Sequence, residues 1–176
     1  MCNNFGYSGK KYANPFAIKL LAIYGRRRGK DGFGIVCDKK LFKYCGYNTQ
    51  LQADESDSFE VVYGKTISKE SLGNIIVGHN RARSKGTITK ANTHPFLYNS
   101  IEGKTWYFTH NGTISNIDEL AKQYNVANEV GEVDSKVFGE ILYKYGFNVL
   151  SEYEGFAAFS IYSVEEDALY IWKGFS

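Results

Sequence analysis

A cysteine stands directly behind the initiating methionine, at Cys2. A small second residue permits removal of Met1, which would leave Cys2 with a free α-amine. Such an amine has a pKa of about 7.7–8.0, close to what a general base needs near neutrality. Nucleophile and base would then share one residue, the cysteine counterpart of an N-terminal threonine. Further along, His110-Asn111-Gly112 follows an apolar run. Taken alone, Asn-Gly after a strand reads as a turn. Beside a thiol it reads differently: the Asn111 side-chain amide and the Gly112 N–H are two donors that can hold the oxyanion formed when a thiolate attacks an amide carbonyl. The segment from Gly78 to Gly86 leaves a second apolar run and carries Arg81, Arg83 and Ser84. A guanidinium there can bind a carboxylate in bidentate fashion, with Ser84 adding a hydroxyl. Asp134 heads a helix, where it either caps the helix or pairs with a substrate ammonium. His94, ahead of Pro95, is a packed loop histidine before it is a general-base candidate.

These residues need elements to position them. Residues 3–8 read as a strand starting almost at the N-terminus. Asn14-Pro15 gives an N-cap and a proline at the first helical position, opening a helix that ends near Gly25. Residues 33–37 and 41–46 form a hairpin around Asp38-Lys39-Lys40, and Val61-Val62-Tyr63 is a weaker strand. Ile75 to His79 and Trp106 to Thr109 are short apolar runs of the kind that make buried strands. Asn116 with Glu119 makes a capping pair for a helix over 117–124. Asp134 opens another helix, with Val137, Phe138, Ile141, Leu142 and Tyr145 on one face. Two strands close the chain, Phe156 to Tyr162 and Leu169 to Trp172. The pattern predicts α+β, helices packed on antiparallel sheets.

Length and composition narrow the function. A chain of 176 residues fits a single domain over 1–176 with one core. Basic residues number 21 and acidic residues 19, a net charge of +2, which argues against a nucleic-acid binder. No stretch reaches the ~18 apolar residues of a membrane span, and no secretory signal precedes the polar, glycine-rich start. The three cysteines, Cys2, Cys37 and Cys45, lack CxxC spacing, so no metal is implied. Their odd number suggests free thiols and a cytoplasmic location. No P-loop and no GxGxxG nucleotide turn occurs.

The order of the motifs resembles the class-II glutamine amidotransferase domain, a branch of the N-terminal nucleophile (Ntn) hydrolases, and in particular the glutaminase half of glucosamine-6-phosphate synthase. Met1-Cys2 matches the family's start. Arg28-Gly29-Lys30-Asp31-Gly32-Phe33-Gly34-Ile35 resembles its Arg-Gly-x-Asp-x-x-Gly-Ile stretch, and His79-Asn80-Arg81 its His-x-Arg segment, with Ser84 on the hydroxyl position three residues on. Asn92-Thr93-His94-Pro95 is similar to Asn-Ala-His-Pro, and His110-Asn111-Gly112 with Ile114 and Asn116 to His-Asn-Gly-x-Ile-x-Asn. Asp134-Ser135 and Glu154-Gly155-Phe156-Ala157-Ala158 follow in register.

The resemblance implies a four-layer αββα sandwich and a glutaminase that works through a Cys2 γ-glutamyl thioester. Cys2 would be the nucleophile, and Asn111 and Gly112 the oxyanion hole. Arg81 and Ser84 would hold the glutamine α-carboxylate, and Asp134 with the Gly112 carbonyl the α-ammonium. L-glutamine would be the substrate and no cofactor would be required. Two local departures stand out: Ala82 replaces the usual aromatic, and Cys-Asn-Asn is more polar than the family's Cys-Gly-Ile. Family members also run on through further strands beyond the Ile171–Ser176 end, so the sheet is expected to be cut short at its C-terminal side. No synthase domain follows, so ammonia would pass to a separate partner chain. The readings set against this are an Ntn hydrolase acting on a different amide and a catalytically silent binding module of the same fold.

Overall fold

In the computed structural model, residues 2–45, 72–127 and 133–175 are described; the strand expected around Val61-Val62-Tyr63 lies outside them. The elements in order are β1 (Asn3–Ser8), α1 (Pro15–Arg26), β2 (Gly32–Cys37), β3 (Lys40–Cys45), β4 (Ile75–Arg81), β5 (Phe96–Ile101), β6 (Lys104–Ile114), α2 (Ile117–Gln123), α3 (Asp134–Tyr145), a 3-10 turn (Phe147–Ser151), β7 (Gly155–Ser163) and β8 (Ala168–Phe175).

Local chemistry explains several boundaries. Asn14 Oδ1 accepts from the Phe16 and Ala17 N–H groups at 2.9 and 3.4 Å, and Pro15 begins α1. The β2–β3 hairpin turns on two residues, Asp38 and Lys39, both at positive φ (49° and 60°). Such turns match the twist of the flanking strands, and Lys40 already belongs to β3. The expected Asn116 cap is not made. Its Nδ2 donates to the Glu152 carbonyl at 2.9 Å and its Oδ1 accepts from the Glu154 N–H at 2.9 Å, so Asn116 ties the start of α2 to the approach to β7.

Two antiparallel four-stranded sheets result, ordered β1-β4-β2-β3 and β5-β6-β7-β8. Side chains alternate between faces along each strand, and this sorts the core into three layers. Phe5, Ile18, Ala22, Phe33, Ile35 and Ile76 fill the space between α1 and the first sheet. Val36, Ile75, Val77, Tyr107 and Tyr162 pack between the sheets. Phe108, Ile114, Leu120, Phe138, Ile141 and Phe159 join the second sheet to α2 and α3. The molecule is therefore α+β with helices outside two facing sheets, as the sequence led us to expect. Tyr145, expected on the buried face of α3, is 50% exposed, and its hydroxyl donates to the Tyr124 carbonyl.

Candidate active site

Cys2 is half-buried just ahead of β1. Asn3 of β1 pairs with Asn80 of β4, which brings Cys2 beside the end of β4. The Ala82 N–H donates to Cys2 Sγ at 3.3 Å, and the thiol donates to the Ala82 carbonyl at 3.4 Å. The segment from Arg28 to Ile35 braces that strand end. Asp31 Oδ2 accepts from the Arg83 N–H at 2.6 Å, and the Asp31 N–H donates to the Arg81 carbonyl at 2.9 Å. Gly29 lies so close to the Asn80 and Arg81 backbone that a Cβ there would collide with it. Burial pushes the Cys2 thiol pKa up; the Ala82 N–H and Arg81 oppose this, and Asp134 adds to it. A cation and an anion therefore both act on the same sulfur. Cys37, by contrast, is buried in the layer under α1, its thiol pushed up to about 12 by desolvation.

Arg81 is 2% exposed. Its Nη1 and Nη2 donate to the carbonyls of Thr87 and Lys85, both at 2.8 Å. The loop that supplies those carbonyls is shaped from within: Asn92 Nδ2 donates to Thr87 Oγ1 at 3.1 Å, and Thr93 Oγ1 donates to the Thr89 carbonyl at 2.8 Å. The segment resembling Asn-Ala-His-Pro thus positions the guanidinium. Ser84 is exposed on the same loop; among the described residues no hydrogen bond joins it to Arg81, Cys2 or Asp134.

Asn111 and Gly112 lie inside β6 and form no turn. Asn111 pairs with Ala158 and Gly112 with Ala157 of β7. A Cβ at Gly112 would run into the Phe156 carbonyl oxygen, so only glycine fits. Asn111 alternates with His110, which faces α3, and so shares the inter-sheet face with Tyr107.

Asp134 begins α3, where the helix dipole favours a carboxylate. Its Oδ2 accepts from the Ile114 N–H at 3.1 Å, and its Oδ1 from the N–H and hydroxyl of Ser135 at 2.9 and 3.3 Å. Ser135 Oγ lies 2.8 Å from His110 Nδ1. With the serine hydroxyl donating to Asp134, His110 Nδ1 must carry the ring proton. His94 is 4% exposed, its ring 4.1 Å from that of His79; it is a packed histidine and not a base at the thiol. Sequence reading overlooked Asn4, His79 and Ser135 as site-shaping residues. For Asn4 the one available signal was the unusual polarity of the Cys-Asn-Asn start.

The parts suit an acyl transfer to sulfur: a half-buried thiol held at a strand end by the Ala82 backbone, and a strand bearing an amide donor. Comparison with known proteins points the same way. The profile of the class-II glutamine amidotransferases matches residues 1–154. The chain belongs to this family. An amidophosphoribosyltransferase of Pseudomonas aeruginosa is 31% identical over 125 residues, covering 70% of this chain and 23% of that one. A 7-cyano-7-deazaguanine synthase 2 of Sulfurisphaera tokodaii is 34% identical over 131 residues, covering 72% and 26%. This amidotransferase chain thus spans about a quarter of the length of these curated relatives. Its fold matches that of the glutamine phosphoribosylpyrophosphate amidotransferase from B. subtilis, with a TM-score of 0.62 and 24% identity over 90% of this chain and 34% of that one. Among the described residues no group of three or more His, Cys, Asp or Glu is placed to hold a metal, and no helix is long and apolar enough to cross a membrane.

Proposed function

We propose that this chain hydrolyses the side-chain amide of L-glutamine through a thioester on Cys2. The observation that carries this reading is the Cys2 thiol itself, hydrogen-bonded to the Ala82 backbone at the end of the strand that bears Arg81. Arg81 lowers and Asp134 raises the Cys2 pKa, so a cation and an anion lie on hand for an amino acid's carboxylate and ammonium. A bulky or apolar amide would have no use for that pair. Ser84 adds a hydroxyl to the carboxylate end, and the Gly112 carbonyl accepts from the ammonium.

Burial pushes the thiol pKa up, so a base is needed to take its proton as sulfur attacks. Once Met1 is removed, the α-amine of Cys2 does this. The carbonyl oxygen of the substrate amide becomes an oxyanion held by the Asn111 side-chain N–H and the Gly112 N–H. The amine then returns the proton to the leaving nitrogen, the C–N bond breaks, and ammonia departs. Water, deprotonated by the same amine, attacks the γ-glutamyl thioester and releases glutamate and the thiol. Residues 1–176 act as a single glutaminase unit in the cytoplasm, and the ammonia passes to an acceptor on a separate synthase chain.

The test is release of ammonia and glutamate from L-glutamine by protein whose intact mass shows Met1 removed. Equimolar products, abolished in Cys2→Ala, support the reading. Neither product from a processed wild-type chain overturns it.

A further inference from the structure

Asn4 and His79 are register partners on β1 and β4, and both project toward the second sheet. Asn4 Nδ2 donates to the Ala158 carbonyl at 2.9 Å. His79 Nε2 lies 3.1 Å from the His110 carbonyl; a carbonyl only accepts, so the ring donates. The two acceptors flank one residue. His110 immediately precedes Asn111 in β6, and Ala158 is the register partner of Asn111 in β7. Two neighbouring side chains of the first sheet therefore reach across to the two backbone carbonyls that bracket Asn111.

The rest of that face shows what these positions would otherwise hold. Two residues further from the site, the same β1–β4 row is held by Gly6 and Val77. Asn4 and His79 are polar beside the apolar part of this layer, Val36, Ile75, Val77, Tyr107 and Tyr162, and neither is fully satisfied: Asn4 Oδ1 and His79 Nδ1 are buried without a hydrogen-bond partner. Unpartnered buried atoms weaken a fold, so an aliphatic pair would suit packing alone better. What the polar pair provides is a fixed offset between the β1–β4 pair, beside whose end Cys2 lies, and the β6–β7 pair, which holds Asn111 and Gly112.

We propose that Asn4 and His79 are positioning residues that hold Asn111 and Gly112 at the distance from Cys2 that the tetrahedral intermediate requires. This rests on the glutaminase reading and assigns the alignment of the oxyanion hole to side chains that never touch substrate. Small misplacements of reacting groups are costly, up to about 100-fold in rate for roughly 1 Å.

The experiment compares wild type with Asn4→Leu, which keeps the branched shape and loses the donor, and with His79→Phe. Three readouts are taken: steady-state glutamine hydrolysis, the rate of Cys2 alkylation by iodoacetamide, and amide hydrogen exchange. The expected result is a kcat lower by about tenfold or more with KM changed by less than about threefold. Alkylation, which needs no oxyanion hole, stays at the wild-type rate. Exchange quickens at residues 110–112 and 157–158 while the α3 amides keep their protection. A kcat within about twofold of wild type with unchanged exchange overturns the proposal, as does a loss of kcat matched by equal loss of alkylation and faster exchange throughout. If wild type turns over no glutamine, the glutaminase reading falls, and exchange at 110–112 alone still decides whether the tethers order that strand.

Discussion

Arg81 gives two of its N–H groups to the carbonyls of Lys85 and Thr87, which leaves the remaining donors of its planar fork for a ligand. A lysine in its place has a rotating ammonium and no fork. It has to choose between the loop carbonyls and the substrate carboxylate. Arg81→Lys is therefore expected to raise KM for glutamine by about 10–100-fold, the worth of a hydrogen bond to a charged group, with a smaller change in kcat. Initial-rate kinetics against glutamine concentration check this; an unchanged KM would remove Arg81 from substrate binding.

At the scale of the element, β6 matters most, because it carries His110, Asn111 and Gly112 on one continuous strand. Gly112→Ala places a methyl against the Phe156 carbonyl oxygen. The Phe156 and Ala157 backbone cannot yield as a side chain would, so overpacking of about 1–3 kcal/mol is expected, seen as a lower urea midpoint with an unchanged slope. Much of this architecture was legible beforehand. Asn14-Pro15 announced α1, and the apolar runs announced β4 and the middle of β6. What failed was local reading where distant partners decide. Asn111-Gly112 by itself says turn, yet nine register pairs with β7 draw it into a strand. Asn116 and Glu119 have capping-box spacing, but Asn116 is taken up by Glu152 and Glu154. β5 escaped notice because its Asn99 and Ser100 are exposed polar residues in a half-wet strand. For the site, Cys2, Arg81 and Asp134 were all named from sequence. Their bracing was not, since the Asp31–Arg83 and Asn4–Ala158 contacts link residues 52 and 154 positions apart.

For the whole molecule, the three histidines set the response to acid. Burial lowers His79 to about 3, His110 to about 4 and His94 well below its usual value, against about 6.5 in an unfolded chain. Below pH 6.5 the unfolded chain therefore binds protons that the folded chain refuses. Their contribution to stability is complete above that pH and is lost as pH falls toward 4. The slope approaches about 1.4 kcal/mol per pH unit for each histidine, or about 4 kcal/mol for three acting together. Urea unfolding at pH 7, 6 and 5 should show a falling midpoint, and a flat profile would mean that the histidines take up protons within the fold. Since His110 belongs to the strand that carries Asn111 and His79 bonds to its carbonyl, activity should be lost over the same interval.

The placement of Asn111-Gly112 inside a strand also bears on how the protein ages. In a flexible chain, an asparagine followed by glycine is prone to cyclise: the glycine nitrogen attacks the side-chain carbonyl, ammonia is expelled, and hydrolysis leaves aspartate or isoaspartate. Strand β6 holds this backbone extended and clamped to β7, away from the bent geometry that attack requires. Each excursion to the unfolded state releases the clamp. The protein would thus record its thermal history as acid replacing amide at Asn111, where a negative charge would oppose the oxyanion that the proposed reaction forms there.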